Sequence, residues 1–182
     1  MINIVKVIAL DLVGVLIGEK NIELNNIEEK LERLFGPNLS DSEYLKQAKQ
    51  ISNLTDEEII DITKNIINKL YIIKDDKLID KLREKYPNMK IVIATNHVSY
   101  IREYLVKNFN VDDIIISAEI NKIKPNVDFY NEVSNITKIK TEEILFVDDN
   151  IDNVDGALLS GMKAIKIDRY DSVYEKILNQ LG

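Results

Sequence analysis

Asp11, Thr95-Asn96, Lys124-Pro125 and Asp148-Asp149 hold the residue types from which a polar reaction centre can be built: carboxylates, a hydroxyl, an amide and an ammonium. A carboxylate serves as a nucleophile or a metal ligand, and an ammonium offsets the charge of an anion. The pair Asp148-Asp149 is the most informative. Adjacent acids repel, a cation relieves the repulsion, and hard Mg²⁺ prefers carboxylate oxygens. Each residue also has a plainer reading. Asp11 can simply lead a strand into a turn. Thr95 fits a helix N-cap. Lys124 alone fits a solvated surface lysine. Asp152 and Asp155 are further candidate ligands, but acids at a helix start usually just face its dipole.

Strands must position these groups. Val5-Lys6-Val7-Ile8-Ala9-Leu10 is short, nearly all apolar and ends at Asp11, which predicts a buried parallel strand. Ile91-Val92-Ile93-Ala94 ends at Thr95-Asn96, and Ile144-Leu145-Phe146-Val147 ends at Asp148-Asp149. Ile114-Ile115-Ile116 and Ala164-Ile165-Lys166-Ile167 bring the set to about five strands. Helical patterns alternate with them: Val98, Ile101 and Leu105; residues 126–136; residues 151–160, closed by Gly161 as a C-terminal cap; and Val173 to Leu181. The alternation predicts a Rossmann-like three-layer α/β core around a parallel sheet. In such sheets, ligands bind beyond the carboxyl ends of the strands, the edge that receives these polar residues. Lys124 falls in a loop just before a helix.

An all-helical block interrupts this order. Leu24, Ile27, Leu31 and Leu34 recur at helical spacing, and Gly36-Pro37 stops the run. Ser40 with Glu43, and Thr55 with Glu58, read as capping boxes. Ile59, Ile62, Ile66 and Leu70 share a helical face, and residues 75–85 give one more amphipathic helix ended by Pro87. No strand pattern shows in the block. The predicted organisation is an α/β core of residues 1–18 and 87–182, with residues 19–86 inserted as a small helical unit. Tyr44 and Lys46 of that unit are candidate specificity residues.

Composition removes several classes. The 182 residues contain one His and no Cys, which excludes disulfide scaffolds, Cys-based metal sites and zinc sites with several His ligands. The formal charge of −7 argues against broad nucleic-acid binding. No apolar run approaches the roughly 18 residues of a membrane span. The segment Met1–Lys6 lacks the shape of a signal peptide, so the expected compartment is the cytoplasm. Oligomeric state leaves no mark in the sequence.

The segments Ala9-Leu10-Asp11-Leu12-Val13-Gly14-Val15-Leu16, Ile93-Ala94-Thr95-Asn96, Lys122-Ile123-Lys124-Pro125 and Phe146-Val147-Asp148-Asp149-Asn150 resemble, in order, the four motifs of the haloacid dehalogenase-like hydrolase superfamily. The stretches Ile151 to Ala157 and Ser160 to Ile165 are similar to its carboxyl-terminal part, and the helical insertion resembles its small helical cap. The likeness covers essentially the whole chain. It implies Asp11 as a nucleophile that forms an aspartyl-phosphate, with Thr95 and backbone N–H groups around Asn96 holding the phosphoryl group. Lys124 would screen charge, and Asp11, the Val13 carbonyl, Asp148 and Asp149 would bind Mg²⁺. The implied substrate is a small phosphorylated metabolite.

The sequence departs from the family at Val13. Its phosphatases usually carry there a second Asp, which protonates the leaving alkoxide and then activates water. Losing a general acid/base costs about 10²–10⁴ in rate. Three explanations stand: a substrate with a good leaving group, such as an anomeric sugar phosphate; replacement by another group, with His97 nearest in sequence; or a catalytically weak phosphate-binding protein. A haloacid dehalogenase also lacks the second Asp, but its relatives are poorer in acids at the fourth motif and need no Mg²⁺.

Overall fold

The computed structural model describes residues 4–35 and 40–182. In chain order the elements are β1 (Val7–Leu10), β2 (Ile17–Glu19), α1 (Asn26–Glu32), α2 (Asp41–Ser52), α3 (Asp56–Leu70), β3 (Tyr71–Ile73), α4 (Leu78–Lys85), β4 (Lys90–Thr95), α5 (Arg102–Asn108), β5 (Asp113–Ile116), α6 (Ser117–Ile120), α7 (Val127–Thr137), β6 (Ile144–Asp148), α8 (Ile151–Leu159), β7 (Lys163–Lys166) and α9 (Val173–Leu181). The predicted stop at Gly36-Pro37 and the first three residues of the chain lie outside the described residues.

Five strands form one parallel sheet in the order β5-β4-β1-β6-β7. Alternation along the central strands sends side chains to two faces. Val7, Ala9, Val92, Ala94, Ile144 and Phe146 pack with Phe129, Tyr130 and Val133 of α7 and Ala157 of α8. Ile8, Leu10, Ile91, Ile93, Leu145 and Val147 face the other way, in one core with Leu78 and Leu82 of α4, Leu105 of α5 and Ile177 of α9. Helices therefore cover both faces, and the fold is the three-layer, Rossmann-like α/β arrangement. Strands buried on both sides need continuous apolar runs, which is why they read so clearly in sequence.

The block between β1 and β4 is not all helical. β2 and β3 pair antiparallel, with Ile17 opposite Ile73 and Glu19 opposite Tyr71. The expectation of no strand there is corrected: three-residue strands separated by three helices carry too little periodicity to register. Helices α1, α2 and α3 hang on this two-stranded stem. All three begin with reciprocal capping boxes, Asn25 with Glu28, Ser40 with Glu43 and Thr55 with Glu58. Helix α4 packs against α9, on the sheet side of the stem. Leu31, Tyr44, Ala48, Ile59 and Ile66 join the same core cluster as the sheet, through Leu12, Val15, Leu16 and Ile17.

Candidate active site

β1, β4 and β6 are the three central strands and end at one edge. Leu10 lies in register with Ile93 on one side and Val147 on the other. One step further along, the same register sets Asp11 beside Asp148. Two acids so placed repel, and Lys124 lies between them. Its Nζ donates to Asp11 Oδ1 at 2.6 Å and to Asp148 Oδ2 at 2.7 Å. Lys124 is only 3% exposed, so the reading of a solvated surface lysine fails. Its backbone is clamped by one side chain. Lys124 N donates to Asn96 Oδ1 at 2.9 Å, and Asn96 Nδ2 donates to Lys124 O at 3.0 Å. Thr95 ends β4, buried, and caps no helix; the next 3₁₀ turn begins at Ser99.

Asp148 is fully buried and fully engaged. Besides Lys124, it accepts from Asn150 N at 2.9 Å and from Asn153 Nδ2 at 3.1 Å. Tyr130 in turn donates its O–H to Asn153 O at 2.6 Å. Asp149 completes the group: Asp11, Asp148 and Asp149 each offer a carboxylate oxygen, all within 4.8 Å of one another. Asp152 and Asp155 are not in this trio. Burial lifts the Asp11 carboxyl above its usual range; Lys124 pulls it back and Asp148 lifts it further. Burial and the neighbouring Asp148 also raise Asp149, against the pull of Lys124 and Lys74. Burial alone would lower Lys124, but the charges of Asp11 and Asp148 outweigh it and hold it above its ordinary value. Three carboxylates facing one ammonium leave a local excess of negative charge. Hard oxygen donors with unbalanced charge fit a divalent cation such as Mg²⁺.

Four residues that the sequence reading left without a role shape this group. Gly14 has φ +93°, and a Cβ there would stand 2.1 Å from Asp149 Oδ2. Only glycine therefore lets the loop after Asp11 lie over that carboxylate. Lys74, just past β3, donates its Nζ to Gly14 O at 2.6 Å. A Cβ on Gly156 of α8 would come within 2.3 Å of Pro125 O, so glycine seats the helix against the Lys124 loop. Asn153 orients Asp148. A glycine inside an amphipathic helix was the one available sequence signal for such a close approach.

Other candidates lie elsewhere. Val13 is half-buried and packs against the core. His97 is 3% exposed; its Nε2 lies 3.0 Å from Tyr71 Oη and its Nδ1 3.2 Å from Val98 O. Phe35 covers the ring at a centroid distance of 5.2 Å. Burial pulls His97 down to about 4, so the ring is neutral at pH 7. Neutral, it donates from Nδ1 to Val98 O and accepts the Tyr71 hydroxyl at Nε2. Both nitrogens are then taken, and none is left to protonate a leaving group. Tyr44 is buried with its hydroxyl 2.5 Å from Thr63 Oγ1. Lys46 lines a separate cleft of about 400 Å³ with Leu34, Glu43 and Gln47. Among the described residues, no helix is long and apolar enough to cross a membrane.

Residues 10–167 match the profile of the haloacid dehalogenase-like hydrolases. The chain belongs to this family. Its backbone superposes with a TM-score of 0.72 on a predicted HAD-like family hydrolase from Porphyromonas gingivalis, at 23% identity and over 98% of both chains. A HAD family enzyme from Bacteroides thetaiotaomicron, in complex with magnesium and inorganic phosphate, gives a TM-score of 0.69 at 18% identity, over 94% of this chain and 98% of the other. At these identities the likeness is one of fold. A stretch of 71 residues, 39% of this chain, is 32% identical to drimenol cyclase drtB of Aspergillus calidoustus. That stretch spans only 13% of the cyclase.

Proposed function

We propose that this chain is a Mg²⁺-dependent phosphohydrolase acting on a small phosphorylated metabolite with an activated leaving group. The observation that carries the reading is the buried Asp11–Lys124–Asp148 chain with Asp149 beside it. Three acids at that spacing are costly without a cation, and a dehalogenase has no use for one. Asp11, Asp148, Asp149 and the Val13 carbonyl would hold Mg²⁺. Bound there, the ion supplies positive charge against phosphoryl oxygens.

The chain's own residues do the rest. The Asp11 oxygen that Lys124 does not hold attacks phosphorus. The bond from phosphorus to the ester oxygen breaks, and the leaving group departs with the electron pair. The product on the protein is an aspartyl-phosphate. Water then attacks phosphorus, the bond to Asp11 breaks with its electron pair left on the carboxylate, and the phosphate departs carrying the protons of the water. Lys124 screens the repulsion between Asp11 and the incoming phosphate. Thr95 and the backbone N–H groups around Asn96 hold its oxygens; the Asn96 side chain is already committed to Lys124. Val13 donates no proton and His97 has none to spare, so the leaving group must depart unprotonated. Anomeric sugar phosphates, acyl phosphates and aryl phosphates do so. Helices α1 to α3, on their stem, act as the cap that excludes water, and we place the protein in the cytoplasm.

The test is hydrolysis of p-nitrophenyl phosphate, glucose 1-phosphate and glucose 6-phosphate, each with Mg²⁺ and with EDTA. The expected result is turnover that needs Mg²⁺ and favours the first two over the third by at least tenfold. Turnover of none of them, with chloroacetate accepted, would replace this reading by a dehalogenase.

A further inference from the structure

A cleft of about 470 Å³ opens beside Asp149, between the loop after β1 and the loop after β7. Gly14 and Asp149 are among its lining residues, so the cleft meets the carboxylate cluster at Asp149. Its walls carry three cations, Lys74, Lys166 and Arg169. Lys166 is paired with Asp168, which lines the same cleft. Lys74 donates to a carbonyl, Gly14 O, and Arg169 has its guanidinium carbon 5.7 Å from the Tyr170 ring centroid. Among the described residues, Arg169 has no carboxylate partner; Lys74 forms no ion pair, but its charge acts on Asp149. Glu19 is the remaining acid of the lining; it is exposed, and its charge acts on Glu32 and Tyr71.

Arg169, with no carboxylate partner among the described residues, and Lys74, whose charge bears on Asp149, thus face one opening that adjoins the reaction centre. A cleft of about 470 Å³ is far larger than a phosphoryl group needs. A cation bound by Asp149 would leave the cleft positive overall, and guanidinium and ammonium groups are the usual receptors of phosphate and carboxylate. We propose that this cleft receives a second anionic group, phosphate or carboxylate, carried by the leaving group of the ester. The substrate is then doubly anionic in character: one phosphate cleaved at Asp11, and a second acid held by Arg169 and Lys74. The inference rests on the phosphohydrolase reading and narrows its substrate class.

The test uses Asp11→Asn in Mg²⁺ buffer, which removes turnover so that binding is read directly by calorimetry. Three ligands share one anomeric phosphate: glucose 1-phosphate, glucuronic acid 1-phosphate and glucose 1,6-bisphosphate. The expected result is that at least one of the two further-charged sugars binds about tenfold more tightly than glucose 1-phosphate. Which of them it is distinguishes a carboxylate from a phosphate. Adding Arg169→Gln brings that ratio down severalfold, adding Lys74→Met does the same, and Arg169→Lys restores part of it. Because the readout is a ratio between ligands, an effect common to all three cancels, and exposed Arg169 can be replaced without touching the core. Equal binding of the three sugars overturns the second anion site alone. So does a preference that survives both substitutions. Failure of every sugar phosphate to bind, with no turnover by the unmodified chain, overturns the phosphohydrolase reading and this inference with it.

Discussion

His97 shows how one side chain settles a mechanistic choice. Its sequence position, two residues after Thr95, makes it the nearest substitute for the missing acid. Its surroundings forbid that role: both ring nitrogens are bonded and the ring lies in an aromatic pocket. The burial has a measurable cost in acid. The unfolded chain takes up a proton on His97 as pH falls through 6.5, but the folded chain does so only near 4. Folding stability is therefore lost as pH falls across that window, and the loss is complete below it. The shift corresponds to about 3 kcal/mol. Urea unfolding at pH 7 and pH 4.5 checks this. The drop in stability between the two should be smaller by about 2 kcal/mol in His97→Gln. An equal drop in both proteins would show that other groups govern the acid limb.

Helix α8 positions the site through a single missing side chain. Gly156 lies inside the helix, where alanine would ordinarily be favoured by about 1 kcal/mol. Here that propensity is overruled. An added Cβ would sit 2.3 Å from Pro125 O and 2.9 Å from the Tyr130 ring, and a backbone carbonyl cannot step aside as a flexible chain end can. Gly156→Ala should therefore destabilise the fold by about 1–3 kcal/mol despite its better helix propensity. It should also lower kcat more than it raises KM, because the helix carries Asn153 and abuts the loop of Lys124. Thermal unfolding and steady-state kinetics read the two effects separately. A stabilised variant would mean that α8 and the loop have room to separate.

At the scale of the whole molecule, the dominant fact is electrostatic. A chain of formal charge −7 gathers three carboxylates, two buried and one exposed, at one sheet edge. A ligand that binds only the folded state stabilises it by about 2.7 kcal/mol at a hundred times its Kd. For a chain of this size, Mg²⁺ at that excess should raise Tm by about 5–10 °C. Asp149→Asn should abolish most of the rise. A shift of equal size in both proteins would place the ion elsewhere. The same scale shows what the sequence made legible. Strands buried on both faces announce themselves as apolar runs, so β1, β4 and β6 and the polar residues at their ends were readable, as was the sheet itself. The stem was not, because β2 and β3 are each three residues long and meet across an intervening 51 residues, 20–70. Gly14, Lys74 and Asn153 were not readable as part of the site either, because their partners are fixed by loop geometry that has no period.

The stem has one more consequence. Because Glu19 and Tyr71 face each other across an antiparallel pair, the chain leaves and re-enters the core through a doorway two strands wide. Whatever is threaded between those two residues leaves the hydrogen-bonded ladder of the main sheet in register. Lengthening or shortening that segment meets none of the hydrogen bonds that set the register of β1, β4 and β6, so the cap we propose can change length while the strand ends that carry Asp11, Thr95 and Asp148 keep their pairing.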